Sequence, residues 1–463
     1  MKYENEVQRM KRDNEQYKRM IRVLLVVGLV ACETAFFMYG WIKSYNPYTV
    51  FPFFQKGHWM MAGMYVLYQM IFLYVFGGLK VGYLKKSNVI YSQCLAVICA
   101  NIVIYLQIVL ISVRFVTILP LLKITFWDVI AVVIVAWISE IIFKKLFPPR
   151  KMLLIHGEYD PTVFIQKMNF RKDKYKVEKI VNISFGIEEI QKMILQYEGV
   201  VIYDVHSEMR NIILKFCFEN DIRVYSTTKV SDILIRGAEG LHIFDTPLLL
   251  YRNQGLTFEQ RLAKRTMDIV VSGIMLIITS PIFLIASAAI KLYDGGPVFY
   301  RQTRVTLNGK KFDIFKFRSM IVDAEKDGKS QPAADKDPRI TPVGRVLRAT
   351  RLDELPQLID IFVGNMSLVG PRPERVEHVE KYTDELPEFA YRLKVRGGLT
   401  GYAQIYGKYN TTPYDKLQLD LIYIQNYSIF LDLRLLLMTI KIMFMKESTE
   451  GFTEEQKKEI QEK

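Results

Sequence analysis

Four long apolar segments in the first third of the chain constrain the fold more than any other feature. They cover residues 23–42, 59–76, 89–113 and 118–143. Each is close to the ~20 residues that a helix needs to cross a bilayer. Polar and charged residues precede the first segment, so we expect a retained anchor and not a cleavable signal peptide. The pattern predicts a membrane bundle of four transmembrane helices over residues 23–145.

Lysine and arginine residues are concentrated in alternate connections of this bundle. Seven of them lie in residues 1–22, and further clusters follow the second and fourth segments. Positive charge marks the cytoplasmic side of membrane proteins. We therefore expect a basic cytoplasmic tail at 1–22 and a return of the chain to the cytoplasm after the fourth helix. This arrangement also explains how a chain with a net charge of +14 can be 50% hydrophobic.

Residues 146–253 alternate short apolar runs with helical patterns. Runs at 152–155 and 200–203 suit buried parallel strands, which predicts a Rossmann-like α/β domain. The turn after the first run contains Gly157 between His156 and Glu158, where a dinucleotide site would need several glycines. We therefore expect no nucleotide site in this domain. Four cysteines without CxxC spacing exclude a zinc ribbon or a disulfide framework.

The third predicted domain, residues 254–463, begins with another apolar run at 269–290. Ser280 and Pro281 lie at its centre, where a proline kinks or breaks a helix. Both flanks are basic, which favours entry and exit on the same face of the membrane. The prediction is a re-entrant helix over about 267–292, broken at Ser280-Pro281, and the alternative is a fifth full span.

Two later segments leave alternatives open. The stretch 430–445 is apolar but contains Asp432, Arg434 and Lys441, so it suits either a helix in the membrane interface or an ordinary core helix. The polar stretch 323–342 suits either a mobile lid or a surface loop.

A strongly basic region lies between Arg301 and Arg351, with 13 lysine and arginine residues against 6 acidic ones. Basic residues interleaved with aromatic ones can bind nucleic acid. Because this region follows a membrane-embedded segment, anionic lipid headgroups or diphosphates are the expected partners, and nucleic acid is not.

Asp353 and Glu354 follow this basic region. With Thr350 as the expected helix N-cap and Pro356 in the first turn, both acids would lie near a helix N-terminus, although acids in a first turn are often only caps. A turn with two prolines presents Arg372, whose guanidinium matches phosphate oxygens. The glycine-rich segment 396–401 could let the backbone approach a ligand closely.

These strings together resemble the bacterial sugar transferase family, the monotopic polyprenyl-phosphate phosphoglycosyl transferases. The resemblance covers residues 262–452, and the N-terminal bundle and middle domain resemble the long form of the family. The matching strings are Gly-Pro-Val-Phe-Tyr-Arg-Gln at 296–302, Lys-Phe-Arg-Ser-Met at 316–320, Asp-Pro-Arg-Ile-Thr at 337–341, Leu-Asp-Glu-Leu-Pro-Gln at 352–357 and Ser-Leu-Val-Gly-Pro-Arg-Pro at 367–373. The sequence departs from the family pattern at Thr306, where glycine is frequent, and at Gly397, where proline is usual.

The resemblance implies a mostly α-helical monotopic catalytic domain and an activity. The enzyme would transfer a sugar 1-phosphate from a UDP-sugar to undecaprenyl (polyprenyl) phosphate, release UMP, and so begin the synthesis of an exopolysaccharide or capsule repeat unit. Asp353 would be the nucleophile, and Glu354 would assist as a base or as a ligand, with Asp353, of Mg²⁺. Arg348, Arg351 and Arg372 would bind phosphate, and Lys316 and Arg318 would either do the same or support the fold.

The implied location is the bacterial inner membrane, with the N-terminus and the catalytic domain in the cytoplasm. The middle domain, which has no evident site, is a candidate for homodimerisation or for contacts with other polysaccharide-assembly proteins. The alternative to an enzyme is a non-catalytic membrane scaffold or regulator of polysaccharide assembly.

Overall fold

The structure is a computed structural model that describes residues 2–251, 255–322, 324, 337–407 and 411–443. The chain forms two compact units, one ending at Thr227 and the other beginning at Thr228, and each is described separately. Most of the stretch 323–342, considered above as a lid or surface loop, lies outside the described residues, as does the end of the stretch 430–445.

Long apolar helices make up the first part of the first unit. They are α1 (Lys2–Gly40), which continues into a π-helical turn (Trp41–Tyr45), α2 (Lys56–Phe76), α3 (Lys86–Ser112) and α4 (Leu119–Leu146). Each predicted apolar segment lies within, or within a residue of, one of these helices. Within the described residues, five helices are long and apolar enough to cross a membrane, the fifth being α9 (Phe258–Asp294) of the second unit.

The interior of this helical bundle contains an acidic polar cluster. Asp128 of α4 accepts hydrogen bonds from the Tyr65 hydroxyl of α2 at 3.3 Å and from the Asn101 amide of α3 at 3.2 Å. Glu33 of α1 is completely buried, and neither of its carboxyl oxygens has a hydrogen-bond partner among the described residues. Burying a polar group without a hydrogen bond costs free energy, so this cluster lowers the stability of the bundle unless its acids are neutral.

A parallel four-stranded sheet completes the first unit, in the order β2-β1-β3-β4. Its elements are β1 (Arg150–His156), α5 (Thr162–Asn169), β2 (Tyr175–Asn182), α6 (Ile187–Ile194), β3 (Gly199–Tyr203), α7 (Ser207–Glu219) and β4 (Arg223–Ser226). The continuous apolar runs of β1 and β3 are buried, as expected for central strands of a parallel sheet. A mixed α/β fold, as predicted, is therefore present.

The crevice at the carboxyl ends of β1 and β3 is the place where folds of this kind bind nucleotides. Here Gly157 donates from its backbone to the Tyr203 carbonyl, and a Cβ atom at Gly157 would lie 2.0 Å from the Asp204 carbonyl oxygen. The glycine thus serves close packing of two backbone segments. The expected lack of a nucleotide site stays a prediction.

The second unit is mostly helical with three small β ladders. It begins with α8 (Val230–Arg236) and the hairpin β5 (Glu239–Ile243) and β6 (Thr246–Leu250), so the sheet of the predicted 146–253 domain ends before these elements. After α9 come the hairpin β7 (Phe299–Val305) and β8 (Lys311–Phe317), then α10 (Pro342–Ala349) and α11 (Gln357–Val363). Then come β9 (Ser367–Val369), α12 (Val376–Glu385), a 3₁₀ helix (Pro387–Lys394), β10 (Gly398–Thr400), α13 (Tyr402–Tyr406), α14 (Pro413–Gln425) and α15 (Ile429–Met443). Its core contains completely buried Ile361, Met366, Phe389 and Leu417.

Helix α9 runs through Ser280 and Pro281 without interruption, whereas we predicted a break there. Proline removes the N–H that would bond to the Ile277 carbonyl four residues earlier. The Ser280 hydroxyl donates to that same carbonyl at 2.8 Å. A side-chain hydroxyl that satisfies the freed carbonyl is how apolar helices tolerate proline. The re-entrant course through a membrane remains a prediction.

Helix α15 buries two of its charged residues, Asp432 and Lys441. Asp432 is completely buried and Lys441 is buried, whereas Phe430 is 79% exposed. Asp432 pairs with Lys264 of α9 at 2.6 Å and accepts from the Tyr423 hydroxyl at 2.7 Å. The charges that interrupt the apolar pattern therefore anchor the helix to the domain and leave apolar side chains on its outer face.

Candidate active site

Asp353 and Glu354 lie in a short 3₁₀ turn, Leu352–Glu354, between α10 and α11. The expected N-cap role of Thr350 was wrong, because Thr350 ends α10 and its hydroxyl donates back to the Val346 carbonyl at 2.8 Å. Arg351 then adopts the left-handed conformation with φ of 59°. This residue reverses the chain, as a left-handed residue after a helix commonly does, so the acids stand in a turn of their own.

Glu354 is clamped by two cations from different parts of the fold. The Lys316 ammonium, near the end of β8, and the Arg372 guanidinium, after β9, both donate to Glu354 Oε1, at 2.9 and 2.7 Å. Burial alone would raise the pKa of Glu354, but the charges of Arg372 and Lys316 hold that pKa well below its usual range. Glu354 is therefore a permanent anion with a fixed orientation.

Asp353 is in a different state from its neighbour. Among the described residues, none donates a hydrogen bond to its side chain and none forms an ion pair with it. Burial and the adjacent Glu354 charge raise the pKa of Asp353, while Lys316, Arg348 and Arg351 oppose that rise. The result is a partly buried carboxyl that is not committed to any protein partner and is surrounded by positive charge.

The predicted phosphate-binding residues divide into three groups. Lys316 and Arg372 contact Glu354 directly, and Arg348 and Arg351 carry charges close enough to act on Asp353. Arg318 makes no contact with either acid. It is buried and ion-paired with Asp294 at the end of α9, which supports the fold role we considered for it.

A second charged cluster, which the sequence did not reveal, holds the loop that carries Arg372. Arg392 is buried, pairs with Asp420 of α14 at 2.8 Å, and donates to the Arg372 carbonyl at 2.9 Å. Glu374, two residues on, accepts from Lys416 at 2.7 Å. Burial would raise the pKa of Glu374, but Lys416 and Arg392 lower it to about 2.

The sequence carried a signal for this cluster. Asp420 stands within an apolar helical pattern, and a charged residue on a buried helix face requires an oppositely charged partner. The sequence alone does not say that the partner is Arg392.

The glycine-rich segment 396–401 packs closely against protein backbone; its expected approach to a ligand stays a prediction. A Cβ atom at Gly398 would lie 2.1 Å from the Gly370 backbone nitrogen, and one at Gly401 would lie 2.2 Å from the Gly370 carbonyl oxygen. The glycines allow β9 and β10 to pair in parallel beside the Arg372 loop. They fix the start of that loop against the core.

The two departures from the family pattern contact each other. The buried Thr306 hydroxyl accepts a hydrogen bond from the Gly397 backbone N–H at 3.0 Å and donates to the Asn365 carbonyl at 3.2 Å. Thr306 therefore ties the β7–β8 turn to the segment after α11 and to the segment before β10. A proline at 397 could not make the first of these bonds.

Carboxylate oxygens are available in the site for a metal ion. The described residues contain no group of three or more acidic, histidine or cysteine side chains that could hold a metal by themselves. Both cations bond to Glu354 Oε1, so Oε2 accepts nothing from the described residues, and the Asp353 carboxyl is also uncommitted. Mg²⁺ commonly binds one or two carboxylates together with substrate phosphates, and this donor set fits that mode.

Comparison with known proteins connects this site to a family. Residues 259–446 match the family model described as bacterial sugar transferase. This range includes both acids, both clamping cations and the Arg392 cluster.

Individual relatives extend the similarity. A UDP-N-acetylgalactosamine-undecaprenyl-phosphate N-acetylgalactosaminephosphotransferase of Aeromonas hydrophila is 31% identical over 327 residues, which cover 69% of this chain and 73% of that protein. A UDP-glucose:undecaprenyl-phosphate glucose-1-phosphate transferase of Klebsiella pneumoniae is 36% identical over 256 residues, 54% of this chain and 53% of that protein. The Escherichia coli K12 protein of the same description is 40% identical over 211 residues, 44% of each chain. The chain thus spans about half the length of the last two relatives.

Proposed function

The chain belongs to the bacterial sugar transferase family, and from that membership and the geometry of the site we propose that it transfers a sugar 1-phosphate from a UDP-sugar to undecaprenyl phosphate. The observation that carries the proposal is the contrast between the two acids. Glu354 is fixed by Lys316 and Arg372, whereas Asp353 is uncommitted among cations. Such a pair suits a nucleophile beside a charged group that is held in place.

In the first step, an Asp353 oxygen attacks the β-phosphorus of the UDP-sugar. A bond forms between that oxygen and phosphorus, the bond from the bridging oxygen to the β-phosphorus breaks, and UMP leaves. The product is an acyl phosphate that joins the phosphosugar to Asp353. Arg348 and Arg351 lie close enough to oppose the negative charge of the transferring phosphoryl group.

In the second step, a phosphate oxygen of the lipid attacks the same phosphorus and Asp353 leaves as a carboxylate. The products are a polyprenyl diphosphate sugar and the regenerated acid. Two displacements replace one direct encounter between a nucleotide sugar and a lipid phosphate, both anionic. Asp353 and Glu354 would hold Mg²⁺ together with substrate phosphates, and the ion would neutralise part of that charge.

The apolar helices support a location at a membrane, where the lipid substrate resides. We propose the bacterial inner membrane, with the N-terminus and the site in the cytoplasm, because positive charge accumulates in the connections assigned to that side. Nucleotide sugars are then accessible from the cytoplasm. The product would be the first lipid-linked unit of an exopolysaccharide or capsule.

The nucleotide product tests the proposal. Purified protein, Mg²⁺, undecaprenyl phosphate and a panel of UDP-sugars should release UMP with at least one sugar. Release of UDP would instead indicate transfer of the sugar without its phosphate and would overturn the proposal.

Asp353→Asn tests the nucleophile. The variant should lose turnover and should no longer form the covalent phosphosugar adduct, which intact-protein mass spectrometry detects in the wild type when the lipid is omitted. Asp384→Asn, on the exposed side of α12, is the matched control and should behave as wild type. Wild-type turnover in Asp353→Asn would exclude this residue as the nucleophile.

A further inference from the structure

A cleft with basic and apolar walls lies beside the first turns of α9, apart from the two acids. Its volume is about 740 Å³. It is lined by residues from three segments. The first, just before and at the start of α9, includes Gly255, Leu256, Phe258, Arg261, Leu262 and Lys264; the second is the β7–β8 turn, with Leu307 and Asn308; the third precedes β10, with Lys394, Val395 and Arg396.

Two of the basic residues in this cleft are not used by the protein itself. Arg261 and Arg396 make no side-chain hydrogen bond or ion pair with any residue that the structure describes. Lys264 is committed to Asp432, and Arg265 donates to the Ile361 and Phe362 carbonyls at 2.7 Å. The cleft therefore presents two arginine forks that can receive an anion.

One carboxylate also lines the cleft, but it is engaged elsewhere. Asp268 Oδ1 accepts from the Ser367 hydroxyl and from the Leu368 backbone N–H, both at 2.9 Å. Asp268 is completely buried. The accessible charge of the cleft is thus positive.

An apolar groove of about 600 Å³ adjoins the cleft. The two share Phe258 and Leu262, and the groove continues along α9 past Val270 and Val271 to Ile429 of α15. Phe258 is 67% exposed and Leu262 is 59% exposed. Glu259 is the one charged residue among those that line the groove. A positively charged end followed by a mostly apolar channel, on a helix long and apolar enough to enter a membrane, has the shape and polarity of a site for one lipid molecule.

We propose that this cleft and groove bind an anionic phospholipid of the bilayer, with its phosphate between Arg261 and Arg396 and an acyl chain along α9. Arginine guanidinium groups pair with phosphate oxygens in a bidentate manner. The groove offers the apolar surface that an acyl chain needs.

The reacting lipid is a less suitable occupant than a resident one. Its phosphate must reach the phosphorus on Asp353, which precedes the N-terminal end of α11. Arg265 of the cleft contacts Ile361 and Phe362 near the opposite end of α11. At ~1.5 Å per residue, those carbonyls lie roughly 6–8 Å along α11 from its first residue, Gln357. The proposal rests on the membrane placement of α9 and not on the transfer reaction.

Lipid binding can be measured on the full chain by native mass spectrometry after purification in a neutral detergent. The probes are phosphatidylglycerol, phosphatidylcholine as the zwitterionic comparison, and undecaprenyl phosphate as competitor. The double variant Arg261→Gln with Arg396→Gln should bind phosphatidylglycerol about 25-fold more weakly, since each basic residue near a charged lipid surface contributes about fivefold. Lys215→Gln with Lys381→Gln removes the same charge from exposed sites and should change binding less than twofold.

Three results would overturn the proposal. They are equal phosphatidylglycerol binding by the wild type and the Arg261/Arg396 double variant, equal binding of phosphatidylcholine, and displacement of phosphatidylglycerol by an equimolar amount of undecaprenyl phosphate. The last result would assign the cleft to the reacting lipid.

UMP release, measured in parallel, separates this proposal from the proposed function. The Arg261/Arg396 double variant should release UMP at the wild-type rate in neutral detergent. If the wild-type protein binds phosphatidylglycerol but releases no UMP, the proposed transferase activity is contradicted and the proposed lipid site is retained.

Discussion

At the scale of single residues, two adjacent carboxyl groups are given different properties by their surroundings. Glu354 has two cations on one oxygen and stays ionised, whereas Asp353 is partly buried with no direct partner in the described structure. Placing like charges side by side and compensating only one of them pushes their pKa values apart. The uncompensated group is the one with freedom to react.

This difference predicts a pH profile. Burial and the Glu354 charge raise the pKa of Asp353. Asp353 attacks as the ionised carboxylate, so kcat/KM should fall as the pH is lowered through the pKa of Asp353. The midpoint of this acidic limb should lie above the ~3.9 of an unperturbed aspartate. In Glu354→Gln the like charge is lost and Lys316 and Arg372 are no longer neutralised, so the pKa of Asp353 should fall.

The measurement is the pH dependence of kcat/KM for UMP release, and the acidic limb of Glu354→Gln should lie at lower pH than that of the wild type. The rate itself should also fall, because Arg372 loses its anchor. Asp384→Asn should keep the wild-type limb. An acidic limb that moves to higher pH in Glu354→Gln would contradict the assigned electrostatics.

The contact between Thr306 and Gly397 gives a second prediction at this scale. Thr306→Gly leaves the buried Gly397 N–H without a partner, and Gly397→Pro removes that N–H, so the hydroxyl loses its donor. Each single change should destabilise the protein by about 1–3 kcal/mol. The double variant should be less destabilised than the sum of the two, by about 1 kcal/mol.

Unfolding free energies of the four proteins, measured in detergent, test this coupling. A proline at 397 also meets the Pro373 ring, but that contact is present in both the single and the double variant and cancels in the comparison. Strict additivity would mean that the two departures from the family pattern are independent.

Motifs in the sequence predicted which charged residues lie together better than they predicted the contacts of each one. The fold brings together the three short motifs that carry Lys316, the Asp353-Glu354 pair and Arg372. Arg318 lies two residues from Lys316, yet side chains two apart along an extended chain need not share partners, and it pairs with Asp294. Arg392 was missed because its partner Asp420 is 28 residues away.

At the scale of secondary-structure elements, hydropathy predicted the long helices because the requirement to bury backbone polar groups in lipid leaves few alternatives. The same pattern did not predict the course of α9 at Pro281. At that point the Ser280 hydroxyl donates to the Ile277 carbonyl, which Pro281 leaves without its backbone donor. Periodicity and composition do not contain that information.

Helix α1 supports a prediction about its buried acid. Glu33 is completely buried, and neither of its carboxyl oxygens has a hydrogen-bond partner within the described structure. An uncompensated charge in this position would be very costly, so Glu33 should be a neutral acid. Glu33→Gln, which is neutral and of similar shape, should leave the thermal unfolding midpoint in detergent at pH 7 unchanged or raise it.

Glu140→Gln is the control for Glu33→Gln. Glu140 is on the surface of α4 and pairs with Lys86 and Lys144, so its replacement should lower the unfolding midpoint slightly. A lower midpoint in Glu33→Gln than in Glu140→Gln would show that the Glu33 carboxylate is ionised and has a partner.

At the scale of the whole molecule, charge and hydropathy describe one property, the orientation of the chain in a membrane. The α/β sheet and the basic segment 301–351 belong to different units, and both follow positively charged connections in the sequence. Orientation is a property of the chain together with lipid, so neither unit determines it alone. Helix α9 is the element whose orientation is open, because it can be re-entrant or can span the membrane.

A re-entrant α9 would have both ends on the cytoplasmic face, and a spanning α9 would have them on opposite faces. Single cysteines replacing Glu259 and Tyr293, in a chain without Cys32, Cys94, Cys99 and Cys217, would report the two ends. Both side chains are exposed, so a membrane-impermeant maleimide can reach them. Because both flanks are basic, we expect labelling of both only after the cells are permeabilised.

Two further variants are controls. Lys215→Cys of the α/β domain should label only after permeabilisation, and Phe115→Cys, 92% exposed between α3 and α4, should label in intact cells. Labelling of Tyr293→Cys in intact cells, with Glu259→Cys protected, would establish a fifth full span and place the residues after α9, including Asp353, outside the cytoplasm.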